Sequence, residues 1–215
     1  MKDKPNEWIS ISDLMAGVMA VVMLLLVMSV LQKTYAELKH KQELEQGGAA
    51  QQKRIAEMLN DLKKSVEEHG ANNLISFDIG QGKITLNENI FKVGSACITP
   101  SAAQAFKNID QKIVNFLKKN PLASVYVEGH TDSSSVKQPV IDYINNCTVY
   151  DDNFTLSAAR AREARKLLIS NLNESEAKRV IVAGFGDSRP IEGLDPTDGR
   201  NRRVEIQFIG VSKEI

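Results

Sequence analysis

The chain has no excess charge of either sign: 27 Lys and Arg balance 27 Asp and Glu over 215 residues. That balance excludes the general electrostatic pull on a phosphate backbone by which nucleic-acid binders hold their ligand. Cysteine is scarce, with only Cys97 and Cys147 present. They either form one bridge in an oxidising compartment or stand as two free thiols, and both readings are open at this stage. Signatures of catalysis are missing as well. The chain has no nucleophile elbow, phosphate loop or metal cluster, and Gly184-Phe185-Gly186 is a turn rather than a nucleotide site. No residue is expected to be catalytic, none to hold a metal, and no turnover of a small substrate is expected from this chain alone.

What is present begins with a long apolar run, residues 14–31, free of charge throughout. With its lead-in of Trp8, Ile9, Ser10, Ile11 and Ser12, it is long enough at ~1.5 Å per residue to cross a ~30 Å hydrocarbon core. It is too long for a signal-peptide core. Gln32, Lys33, Thr34 and Tyr35 follow it rather than a small-residue cleavage site, so it reads as an uncleaved anchor. Lys2 and Lys4 precede the run and Lys33, Lys39 and Lys41 follow it, so loop charge leaves its orientation undecided.

A single carboxylate, Asp13, stands at the head of this run. Burial of an Asp in the bilayer costs roughly 2.5 to 3.5 kcal/mol on insertion scales, so its presence marks an ion pathway or a buried partner. The plainer alternative puts Asp13 at the headgroup level as a helix cap. Ser12, Ala16 and Ala20 form a stripe of small residues, with Gly17 beside it. Small residues let helix backbones approach closely in lipid, so this half of the helix is suited to tight packing.

Residues 32–45 are polar and helix-prone, and a break is expected at Gly47-Gly48. A second helix is expected over 51–68, with Ile55, Leu59, Leu62 and Val66 on one face as packing surface for the following domain or a twin helix. The stretch is poorer in Pro, Ser and Gly than a disordered linker, which implies a short, stiff connector. From residue 74 the pattern changes to strands at 74–79 and 83–86 around Gly80-Gln81-Gly82. Thr99 and Pro100 open a helix to about 119, as N-cap and first helical residue. A strand at 124–128, a long loop at 133–153, a helix at 157–172 and strands at 179–183 and 203–208 complete the order. The βαβαβ succession predicts an α+β fold, one sheet with helices on one side.

Three segments of this domain carry a resemblance: Val127-Glu128-Gly129-His130-Thr131-Asp132, Leu156-Ser157-Ala158-Ala159-Arg160-Ala161 and Asn201-Arg202-Arg203-Val204. In that order they resemble the OmpA-like peptidoglycan-binding domain over about residues 91–209. The resemblance implies that Asp132 and Arg160 grip the diaminopimelate of the peptide stem. The chemistry agrees, since that zwitterion offers an ammonium to a carboxylate and a carboxylate to a guanidinium. Leu156 and Ser157, with Asn201 and Arg203, would shape or support the pocket. His130 is structural in that family. The loop at 133–153 is longer than the family's usual connection, and a Cys97–Cys147 bridge would pin it to the loop before the first long helix of the domain.

An apolar helix with one Asp, a short connector and such a domain resembles the B subunit of MotA/MotB-type rotary stators. The local match is Ile11-Ser12-Asp13-Leu14-Met15-Ala16-Gly17-Val18-Met19. The resemblance implies a parallel dimer threaded through a MotA-like pentamer of A subunits in the bacterial inner membrane, tethered to peptidoglycan. Asp13 would accept and release the translocated proton or sodium ion, with no other cofactor. It also implies a cytoplasmic leader at 1–7, a transmembrane helix at 8–32, a periplasmic helical connector at 33–73 and the wall-binding domain at 74–215. The short leader and short connector, with the Ser-Asp-Leu-Met-Ala-Gly run, are most similar to the B subunit of the Zorya anti-phage motor. Flagellar or gliding stators and a passive wall tether are the competing readings.

Overall fold

A computed structural model describes residues 7–68 and 74–210. Helix α1 (Glu7–Glu68) is unbroken at the backbone level. The expected break at Gly47-Gly48 is therefore absent. A glycine in a helix costs only about 1 kcal/mol relative to alanine, and helix formers on both sides outweigh it. Of the expected leader at 1–7, residues 1–6 lie outside the described residues.

The chain divides into two compact units, Met1–Ala49 and Ala50–Ile215. The first contains a helical stretch, Ile11–Lys39, whose most apolar 18 residues have a mean hydropathy of 2.8, long and apolar enough to cross a membrane. Its side chains are exposed, Leu14 and Leu24 at 70% each. A continuous leucine and valine surface of this kind is stable in hydrocarbon rather than in water.

In the second unit the sheet has five strands in the order β1-β2-β5-β3-β4. Strands β1 (Ile75–Asp78) and β2 (Lys83–Asn87) form a hairpin, and Gly82 takes the positive φ its turn requires. The last strand, β5 (Arg203–Ile209), lies between β2 and β3 (Ser124–His130), antiparallel to both. Strand β4 (Val180–Gly184) pairs with β3 in parallel. Alternation along the central strands sends Val125, Val127, Val204, Ile206, Phe208, Ile84 and Leu86 into the core.

Helices cover that apolar face. Thr99 caps α2 (Pro100–Lys119) by accepting from Ala102 N at 3.4 Å, as the sequence predicts. Ile55, Leu59 and Leu62 are fully buried in the same core and Val66 nearly so. Burial of side chains of this size contributes roughly 1.5 to 3 kcal/mol each, which makes the second half of α1 part of the domain. The stretch expected as a connector, 33–73, thus divides, and the compact unit begins at Ala50 rather than at 74.

Helix α4 (Asn153–Leu168) starts before the expected 157, because Asp152 rather than a later residue accepts from Thr155 N at 2.6 Å, and it ends at Leu168 rather than at 172. The long loop before it holds one helical turn, α3 (Tyr143–Asn146), and a bridge pairing of Val140 with Tyr150. A second short turn, α5 (Glu174–Ala177), precedes β4 behind a capping box at Asn173 and Glu176. Cys97 and Cys147 are bridged, with Cα atoms 5.1 Å apart across a sequence separation of 50. Closing a loop of that length stabilises by about 4 kcal/mol in the chain-entropy account.

Two glycines let α4 lie against the sheet. A Cβ on Gly129 would stand 1.9 Å from the Ser157 carbonyl oxygen, and one on Gly184 2.6 Å from the Ala158 Cβ. Gly129→Ala is expected to destabilise the domain by about 3 kcal/mol or more, because backbone rather than a flexible side chain must yield. The midpoint of urea unfolding measures it, and an unchanged midpoint would contradict this packing.

Candidate functional site

A cleft of about 690 Å³ opens beyond the end of β3, between the first turns of α4, the segment after Glu88 and the loop after Asp132. Asp132 and Arg160 both line it, each only 5% exposed. Backbone bonds fix the chain around the acid: Thr131 N donates to Gly186 O at 2.8 Å and Ser133 N to Pro196 O at 3.0 Å. The Asp132 carboxylate accepts from Ser134 N at 3.2 Å through Oδ1, and Oδ2 is engaged by Arg202 Nη1. Arg160 reaches the cleft from the second turn of α4. Its Nε donates to Ser95 O at 3.0 Å, and its guanidinium lies 5.3 Å from the centre of the Phe91 ring. Burial lowers the Arg160 pKa from its ordinary value, yet a guanidinium stays charged at neutral pH.

The other expected residues take supporting places. Leu156 lines the cleft as an apolar wall. Ser157 is fully buried, where Oγ donates to Phe154 O at 2.8 Å and accepts from Gly186 N at 2.9 Å. Asn201 brackets the preceding loop, accepting from Ile191 N at 2.8 Å and donating to Asp195 O at 2.9 Å. Arg203 faces away from the cleft and bonds Glu205 Oε1 at 2.6 Å.

Four residues of the site escaped the sequence reading: Arg202, Glu88, Phe91 and Ser95. Arg202 bridges Asp132 and Glu88, with Nε 2.5 Å from Glu88 Oε2. A signal for it existed, since neighbours at a strand start point to opposite faces. With Arg203 paired beside His130 on one face, Arg202 had to reach the other. Glu88, Phe91 and Ser95 lie far from the motifs in sequence, and only the fold brings them in. The cleft thus carries two carboxylates and two guanidiniums within one concave surface, a pattern suited to a ligand with adjacent ammonium and carboxylate groups.

The opposite face of the sheet holds a second polar group. Potential donor atoms of Glu128, His130 and Glu205 lie within 4.8 Å of one another. Glu205 is already engaged by Arg203 and, at 3.1 Å, by Lys83 Nζ. Those cations occupy the carboxylate that a metal would need, so the cluster is explained as ion-paired structure. His130 is 2% exposed and stacks on Phe185 with ring centres 5.5 Å apart, and among the described residues neither ring nitrogen has a hydrogen-bond partner. Burial, followed by the Arg203 charge, lowers its pKa to about 4.

The sequence profile of the OmpA family matches residues 90–203. The chain belongs to the OmpA family. Motility protein B of Bacillus subtilis is 30% identical over 129 residues, 59% of this chain and 44% of that protein. Zorya protein ZorB of Escherichia coli is 28% identical over 97% of this chain and 90% of its own length. The chain spans less than half the length of the Bacillus relative and 26% of a third, outer membrane porin F of Pseudomonas aeruginosa. Among solved structures, a MotB-like protein from Desulfovibrio vulgaris superposes with a TM-score of 0.54 at 19% identity, over 75% of this chain and 97% of that one. That likeness establishes the α+β fold of the OmpA-family domain.

The low pKa of His130 has a consequence for stability. Above pH 6.5 the ring is neutral in both the folded and the unfolded chain. As pH falls from 6.5 towards 4, only the unfolded chain takes up the proton, so stability drops by up to about 1.4 kcal/mol per pH unit. Glu128, raised by burial and by Glu205, works in the opposite direction below neutrality. The melting temperature of wild type is expected to fall more steeply over this window than that of His130→Asn; parallel curves would contradict the assignment.

Proposed function

We propose that this chain is the wall-anchored B subunit of an ion-driven motor in the bacterial inner membrane. The observation that carries the reading is the opposed pair Asp132 and Arg160 in an open cleft, in a chain that also contains one apolar helix headed by a lone carboxylate. The domain holds the diaminopimelate of the peptide stem, the ammonium on Asp132 and the carboxylate on Arg160. The N-terminus lies in the cytoplasm and the OmpA-family domain in the periplasm, because peptidoglycan is found only there. Asp13 takes up and releases the translocated proton or sodium ion in the packed half of the membrane helix. The partners are a second copy of this chain, parallel to the first, and a MotA-like pentamer around both.

Anti-phage defence is the favoured setting. Similarity to ZorB runs through 97% of this chain, whereas the similarity to motility protein B of Bacillus subtilis is confined to 59%. A motility stator would use Asp13 in the same way, and a passive tether would not use it at all.

Asp132→Ala and Arg160→Ala are each expected to lower retention on purified sacculi by at least about tenfold, since each removes one half of a charge-assisted grip. Pull-down at matched protein levels measures this, and undiminished retention by both variants would overturn the site. In cells carrying the native operon, Asp13→Asn is expected to abolish protection in a phage plating assay while the chain stays at normal membrane levels. Full protection by Asp13→Asn would support the passive tether instead.

A further inference from the structure

The Cys97–Cys147 bridge lies close to the binding cleft in bond terms. Cys97 N donates to Ser95 Oγ at 2.9 Å, and that hydroxyl donates in turn to Asn146 O at 3.0 Å. Ala96 N donates to the same Asn146 carbonyl at 3.0 Å. Ser95 is 1% exposed, and its own carbonyl is the acceptor that holds Arg160 Nε at 3.0 Å. On the other side of the loop, the Tyr150 hydroxyl donates to Gly94 O at 2.6 Å. The segment that orients Arg160 is therefore tied to the loop at 133–153 by three hydrogen bonds and one covalent link. Part of that loop, with Tyr150, forms a wall of the cleft. Among the described residues, the Arg160 guanidinium donates no other hydrogen bond, so its aim depends on the Ser95 carbonyl together with the Phe91 ring.

We propose that the Cys97–Cys147 bridge is a positioning element of the ligand cleft, so that affinity for the diaminopimelate-bearing stem and the redox state of the bridge are coupled. The inference rests on the wall-binding reading above. With the bridge closed, Ser95 is held and the guanidinium is aimed before the ligand arrives, which removes an ordering cost from binding. With the bridge open, the loop keeps only its hydrogen bonds, and the ligand must order both sides of the cleft. Coupling of this kind is reciprocal: whatever factor the bridge adds to ligand affinity, the ligand adds to the stability of the bridge. Reduction by dithiothreitol breaks the Sγ–Sγ bond, adds two electrons and two protons to give the Cys97 and Cys147 thiols, and leaves the reagent as its cyclic disulfide.

The test uses the full chain in detergent and the synthetic tripeptide L-alanyl-γ-D-glutamyl-meso-diaminopimelate. Calorimetric titration of the oxidised and reduced forms is expected to show about tenfold weaker binding after reduction. By linkage, saturating tripeptide then shifts the midpoint potential of the bridge about 30 mV more negative. Asp132→Ala is expected to show no such shift. Equal affinity in both redox states with an unmoved midpoint would overturn the coupling while leaving wall binding intact. No binding by the oxidised wild type would overturn the wall-binding reading itself. If circular dichroism shows that reduction melts the domain, a Cys97→Ala/Cys147→Ala variant, titrated at a temperature where circular dichroism shows it folded, decides the matter without the bridge. Weakening of several-fold supports the positioning role, and unchanged affinity overturns it.

Discussion

The constraint on which this domain depends is the close approach of α4 to the sheet. Gly129 and Gly184 present bare backbone where the helix passes, and the Ser157 and Ala158 backbone fills the space that side chains would occupy. This contact decides the position of every functional group on α4. It seats Ser157 against the Gly186 amide and brings Leu156 and Arg160 to the rim of the loop that carries Asp132. The glycine in the motif Val127-Glu128-Gly129-His130-Thr131-Asp132 therefore serves geometry, while the acid three residues later lines the cleft.

The cleft itself is stabilised by compensation of charge. Asp132 and Arg160 are each nearly buried, a costly arrangement for ions without partners. Arg202 and a backbone amide engage the acid, and a backbone carbonyl and an aromatic face engage Arg160. Each ion is thus satisfied by protein groups and still lines the cleft. Arg202 is shared with Glu88, so it has a second acceptor beside Asp132.

Helix α1 carries two apolar stretches in different surroundings. Along 14–31 its exposed surface is apolar, and further on Ile55, Leu59, Leu62 and Val66 are buried in a protein core. The same helical backbone supports both, because helix geometry fixes which residues share a stripe but not what the stripe meets.

Much of this was legible in the sequence. Hydropathy alone located the long apolar helix, alternation located the strands, and Thr99 with Pro100 located the start of α2, since each of these is a local property of the chain. Three motifs in order picked out Asp132, Leu156 and Arg160, which the fold brings to one cleft. The places where sequence reading failed are those where distant segments decide. Continuity of α1 through Gly47-Gly48 reflects the helix formers on both sides, and the capture of 50–68 by the domain follows from a core assembled by five strands and two further helices. Choice between a bridge and two free thiols needed the Cα atoms of Cys97 and Cys147 brought to 5.1 Å. Glu88, Ser95 and Phe91 joined the site only through folding, because hydrogen bonds, ion pairs and ring contacts act over a few ångströms and carry no signature along the chain. Sequence by itself determined which chemistry was available; tertiary structure decided which groups meet, because proximity in space is not encoded by spacing in sequence.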